Sequence, residues 1–195
     1  IYENANKMEQ ILQAALYLFS TKGYLKTSMT DVANAVKLTK GGIYHYITTK
    51  EDLLLLIHTR MTEAFITQFR ASGQSANDPV ERLKNWIQAH VHLNHDYQPH
   101  IKIFFTELRN LENEKNFKHL VLKRDEISQL LIDIIQEGSQ SGLFRSDIEP
   151  QIIAFFIFGM LNWFYQWYRP EGEKSVKTLM QDAQNMILNG IMKQN

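Results

Sequence analysis

The chain has 195 residues, 44% of them hydrophobic and 22% charged, with no formal net charge and no cysteine. That composition suits a packed globular protein of one or two domains. It excludes a disulfide framework and any thiolate metal site, and no basic-then-apolar leader is visible, so a cytoplasmic location is expected.

The neutral total hides an asymmetry. Residues 1–50 contain six lysines against Glu3, Glu9 and Asp31, a net charge of +3, so the remainder carries −3. A basic end on a neutral chain points to a local anionic partner or to a lysine-decorated surface.

Helical periodicity runs through nearly the whole chain. Met8, Ile11, Leu12, Ala15, Leu16 and Phe19 mark one face of a first helix, which Gly23 ends. Ser28 and Asp31 have the spacing of a capping box and predict a short helix to about Val36. Thr39 is the next N-cap, predicting a helix through about Ile47. Thr49 caps a long helix that connects head to body over about residues 50–72. Residues 71–78 read as a soft linker, and Asp78-Pro79 opens a further helix. Beyond it, 79–96, 99–111, 114–140, 150–168 and 174–193 all read as helices. The expectation is an all-α protein with a helix-turn-helix domain over residues 1–50 and a larger helical domain over 51–195.

The stretch KLTKGGIYHYITTKEDLL concentrates polar edge and aromatic surface. Two short helices joined through Lys37 and Leu38 give a helix-turn-helix, whose second helix enters the major groove. Thr39, Lys40 and Gly41 open that helix, where free N–H groups attract phosphate. Tyr44, His45 and Tyr46 offer hydroxyl and ring N–H donors, and Lys50 stands near a flanking phosphate. A core tyrosine and a plain solvated lysine are the alternatives at Tyr44 and Lys50.

Taken together, Gly23, Tyr24, Thr27, Ser28, Asp31, Val32, Ala33, Thr39, Lys40, Gly41, Ile43, Tyr44, His45, Tyr46, Lys50, Glu51 and Leu53 resemble the tetracycline-repressor family of bacterial transcription regulators. The resemblance implies DNA contacts at Lys40, Tyr44, Tyr46 and Lys50, supported by Thr27, Ser28 and Thr39. Three positions depart from the family pattern. Lys37 stands where a turn glycine is common, Gly42 replaces Thr, Ser or Ala, and Ile47 replaces an aromatic residue.

Residues 152–168 are apolar almost all round, too short and too interrupted by Asn162 and Gln166 for a membrane span. Burial on two sides predicts a homodimer interface carried by Phe156, Gly159, Trp163, Trp167 and Met186. The resemblance likewise places dimerisation in the last two helices. The segments TELRNLENE, KRDEI, SGLFRSDI and NWFYQWYRP resemble the branch of the family that responds to acyl-coenzyme A thioesters. Phe104, Phe105, Leu108, Leu131, Phe158 and Trp163, with Ile101, Leu130, Ile134 and Phe155, could line an apolar slot, and Arg109, Arg124 and Arg169 could meet phosphates or carboxylates. Equally, those apolar residues could be core and the arginines could pair with Glu107, Asp125 or Glu126.

His90, His92, His95 and His100 cluster, yet no metal-binding motif accompanies them, so neither metal nor cofactor is expected. The functional expectation is a dimeric repressor that binds a palindromic DNA operator and releases it when a small hydrophobic or acyl-CoA-like effector binds. An all-helical enzyme and a DNA-binding regulator without an effector are the alternatives. No phosphate loop, nucleophile elbow or metal motif supports the enzyme.

Overall fold

The computed structural model describes residues 2–74, 76–107, 117–169 and 171–193, omitting the side chains of residues 2–5 and 117. Ten helices are present among them: α1 (Tyr2–Thr21), α2 (Met29–Ala35), α3 (Lys40–Ile43), α4 (Lys50–Gly73), α5 (Pro79–Asp96), α6 (Gln98–Glu107), α7 (Phe117–Gln140), α8 (Pro150–Asn162), α9 (Phe164–Trp167) and α10 (Val176–Ile191). The described residues contain no strand, only an isolated bridge between Phe144 and Met192. The all-α expectation holds.

The chain divides into two compact units, residues 1–62 with 99–120 and residues 63–98 with 121–195. This differs from a boundary at residue 50. Leu53, Leu54 and Ile57 of α4, with Ile103 and Leu120, belong to the same apolar core as the head helices.

In the first unit, Ile11, Leu12, Ala15, Leu16 and Phe19 bury one face of α1, following its 3–4 spacing. Gly23, at φ 92°, turns the chain out of α1. Ser28 caps α2 in a complete capping box. Its hydroxyl accepts from Asp31 N at 3.1 Å, and Asp31 Oδ2 accepts from Ser28 N at 2.8 Å. Lys22 Nζ reaches the same carboxylate oxygen at 2.7 Å. These bonds, Lys22 foremost and then Ser28, hold the Asp31 carboxyl at about 2, well below its usual range.

The α2–α3 turn closes where Leu38 N donates to Ala33 O at 2.9 Å, and Lys37 takes the left-handed conformation at φ 57°. The turn position usually held by glycine thus keeps its glycine-like backbone with a lysine in it.

In the second unit, α5 packs on α8 and α10. Asp78 caps α5, its side chain accepting from Glu81 N, with Pro79 in the first turn as expected. The buried core takes Phe69, Leu83, Trp86, Ile87, Leu131 and Ile135, with Ile153, Ile157 and Leu161 of α8 and Leu179 and Ile187 of α10. The expected single helix over 150–168 is two. It breaks at Trp163, next to Asn162, whose side chain is engaged by His90.

Candidate functional site

The recognition segment is shorter than its sequence suggested. α3 spans four residues, and the chain tightens after Ile43, with His45 N reaching Gly42 O at 3.4 Å and Tyr46 N reaching Ile43 O at 3.0 Å. Gly41 and Gly42 are poor helix formers, and the aromatic residues after them add little propensity. So short a helix offers little dipole. The case for DNA rests instead on which side chains face outward.

Thr39 caps α3, its hydroxyl accepting from Gly42 N at 3.0 Å. Lys40, Gly41, Tyr44 and His45 are exposed, Tyr44 by 46%, so Tyr44 is not a core residue. Nothing lies within 4 Å of where a Cβ on Gly41 would stand, so the backbone there is open to a groove wall. Tyr46 instead packs against the core of the first unit.

Two expected contacts are placed inward. Thr27 is only 2% exposed, and its hydroxyl donates to Gly23 O at 2.8 Å. Lys50 Nζ donates to the carbonyls of Tyr24 at 3.0 Å and Thr27 at 3.1 Å, and lies 4.4 Å from the Tyr24 ring centre. Both residues brace the entry to α2 and leave Ser28 exposed there. Lys7 is likewise tied down, donating to Val36 O at 2.9 Å. Of the six lysines in residues 1–50, Lys7, Lys22 and Lys50 therefore hold the unit together. Lys26, Lys37 and Lys40 are exposed and take no partner among the described residues.

The second unit carries an apolar face that its own core leaves uncovered. On α8, Ile153, Ala154, Ile157 and Leu161 point inward. Ile152, Phe155, Phe156, Met160 and Trp163 recur at helical spacing on the outer side, with Phe156 68% and Trp163 59% exposed. Gly159 belongs to the same stripe, with open space where its Cβ would be. Trp167 after the break and Met186 of α10 are exposed as well. Isolated apolar residues on a surface mean little, but a continuous stripe of large ones marks an interaction site.

The residues expected to line a ligand slot are divided between the two units. Leu131 is wholly buried, and Phe158 lies half-buried edge-on to Trp86, ring centres 5.3 Å apart. Trp163 is on the outer stripe, which removes it from the interior. Phe104 and the more exposed Phe105 belong to the first unit, where Phe104 meets His58 edge-on at 5.1 Å. Arg124 is exposed on α7, while Leu108 and Arg109 lie outside the described residues. Phe155 faces out, and Arg169 donates to the carbonyls of Gln166 and Tyr168.

Sequence reasoning missed the buried His58 and Asn94 and read His90 and His95 only as members of a histidine cluster. His58 and His90 are enclosed, and burial depresses both imidazoles to about 4, with repulsion from His100 adding at His58. His90 bonds Asn162 and Asn94, and His95 Nδ1 lies 2.9 Å from Tyr168 Oη. The signal was present: Trp86, His90 and Asn94 interrupt the apolar side of α5 at intervals of four. Among the described residues no three potential ligands gather to hold a metal ion, and no helix is long and apolar enough to cross a membrane.

Residues 11–57 match the family described as bacterial regulatory proteins, tetR family, and residues 76–191 match the tetracyclin repressor-like C-terminal domain. The HTH-type transcriptional repressor KstR2 of Mycobacterium tuberculosis is 22% identical over 185 residues, covering 95% of this chain and 92% of that protein. The fatty acid metabolism regulator protein of Bacillus subtilis is 24% identical over 188 residues, covering 95% of each. Among solved structures, AibR in complex with isovaleryl coenzyme A and operator DNA superposes with a TM-score of 0.84 at 29% identity, covering 92% of this chain and 97% of that one. KstR2 superposes with a TM-score of 0.87, covering 96% and 95%. The chain belongs to the tetracycline-repressor family, whose members are DNA-binding regulators of transcription and not enzymes.

Proposed function

We propose that this protein is a homodimeric repressor that binds a palindromic operator and leaves it when a small hydrophobic effector, an acyl-coenzyme A thioester, enters its helical body. The observation that carries the reading is the pairing of two outward surfaces on one chain. Lys40, Tyr44 and His45 project from a helix-turn-helix, and an uncovered apolar stripe runs along α8.

The stripe suits a second copy of the same surface. Large aromatic anchors flank a glycine that permits close approach, the composition of an interface core. A two-fold pair presents two reading heads, which an inverted repeat matches. Lys40, with Thr39, is the candidate for base edges, and Lys26, Lys37, Tyr44 and His45 for phosphates and groove walls. The effector class is supported by AibR, a relative of 29% identity whose structure holds isovaleryl coenzyme A and operator DNA together. Effector binding would favour one of two arrangements of the dimer, and only the other fits the operator.

The test is selection of bound duplexes from a randomised DNA pool. Enrichment of inverted repeats with a fixed half-site spacing is the expected result. A single asymmetric half-site, or no enrichment, would overturn the dimeric reader.

A further inference from the structure

α5 holds a feature that the helix-turn-helix and the α8 stripe do not use. Trp86, His90 and Asn94 stand every four residues, on one side of the helix, and all three are buried. Phe69 stacks on Trp86 with ring centres 4.7 Å apart, and Phe158 of α8 lies edge-on to it. The row is therefore a line of polar atoms walled by aromatic rings.

Its hydrogen bonds have one self-consistent assignment. Asn94 Nδ2 lies 3.0 Å from the His90 carbonyl, which can only accept, so Asn94 turns its amide nitrogen toward His90. That nitrogen also donates to His90 Nδ1 at 2.9 Å. The ring proton is then on Nε2, which donates to Asn162 Oδ1 at 3.1 Å. Two buried atoms are left over: Asn94 Oδ1, an acceptor, and Trp86 Nε1, a donor. Buried polar atoms are nearly always paired, and the exceptions call for an explanation. No charged side chain is buried among the described residues of this unit, so a ligand anion here would meet an unpaired acceptor and no cation.

Resting on the effector reading above, we propose that Trp86 and Asn94 recognise an extended, uncharged ligand chain that offers a carbonyl to the indole N–H and an N–H to the Asn94 oxygen. The eight-residue separation is about 12 Å along the helix, so the ligand is a chain rather than a compact group. Amide groups supply both partners without charge. The two-amide pantetheine arm of a coenzyme A thioester spaces its carbonyls and N–H groups along a chain, whereas the adjacent carbonyl and N–H of a simple aliphatic amide reach only one of the two side chains.

The experiment is titration of the full chain by calorimetry with S-octanoylpantetheine, octanamide, methyl octanoate and octanoate. Octanoate is expected to bind weakest. Trp86→Phe keeps the ring and loses the N–H, and should weaken S-octanoylpantetheine and methyl octanoate alike, each about tenfold. Asn94→Leu should weaken S-octanoylpantetheine about tenfold and leave methyl octanoate unchanged. Octanamide, which reaches only one of the two side chains, should bind much more weakly than S-octanoylpantetheine, and equal binding would overturn recognition by both Trp86 and Asn94. Melting curves check that each variant folds, and Trp86→Phe decides the matter if Asn94→Leu does not fold. Equal affinity of Trp86→Phe and the unaltered chain would overturn the proposal, as would octanoate matching the amides. So would a chain that binds operator DNA and none of the probes, its two buried atoms then being satisfied by water alone. Probes that bind by this pattern without releasing DNA would keep the row and sink the effector reading.

Discussion

Replacing Lys50 by Met separates two roles that a lysine at the start of a helix can have. In the folded chain its ammonium donates to two carbonyls, at 3.0 and 3.1 Å, and faces the Tyr24 ring at 4.4 Å. Hydrogen bonds to a charged group contribute about 1.5–3 kcal/mol each, and a half-exposed cation over a ring about 0.5–1 kcal/mol. Desolvating the ammonium offsets part of this, and Tyr24 O keeps its bond from Thr27 N. A net loss of about 2 kcal/mol follows, or about 4–8 °C in melting temperature for a chain of this length. The assay is denaturant unfolding followed by circular dichroism, with operator affinity measured over a salt series. Each phosphate contact adds about 0.9 to the slope of log affinity against log salt, so an internal Lys50 leaves that slope unchanged. Unaltered stability with a slope reduced by about one would refute the reasoning and return Lys50 to the DNA.

Lys40→Ala, at an exposed lysine with no internal partner, should do the reverse, lowering affinity and the salt slope while leaving the melting temperature in place; an unchanged operator affinity would remove it from the interface. Trp163→Arg puts a charge on the outer stripe of α8 without touching the core. It should raise the dimer dissociation constant at least about a hundredfold by sedimentation, with circular dichroism unchanged; an equally tight dimer would place the interface elsewhere. His58 and His90 are held neutral to about 4 in the folded chain, whereas an unfolded imidazole takes its proton near 6.5. As pH falls from about 6.5 to about 4 the unfolded state binds more protons, so stability should drop across that window by up to about 3 kcal/mol per residue. His58→Phe should flatten the profile there, and an unchanged profile would show that His58 is not buried neutral.

Features set by neighbouring residues were legible in the sequence. Ser28 with Asp31 and Asp78 with Pro79 specify helix starts by local hydrogen bonding and backbone geometry, and both formed as read. The left-handed Lys37 was also foreseeable, because the turn needs that backbone whatever side chain occupies it. Features set by tertiary partners were not. Nothing in the local pattern distinguishes Lys50, which meets carbonyls 23 and 26 positions earlier, from the exposed Lys40. Trp163 fitted both a lining and an interface role, since periodicity gives the face of a helix but not what lies opposite it. The buried row on α5 was hidden in the same way. His90 drew notice for its ring and its histidine neighbours, while the bond to Asn162, 72 residues away, gives it its place.

The most direct test is the affinity of the purified protein for DNA from immediately upstream of its own gene, measured by fluorescence anisotropy over a salt series with and without isovaleryl-CoA and octanoyl-CoA. The account predicts tight binding that weakens steeply with salt and is relieved by a thioester. Binding that neither thioester disturbs would contradict the effector half of the claim. Weak binding that does not depend on salt would contradict the claim that this head reads DNA there.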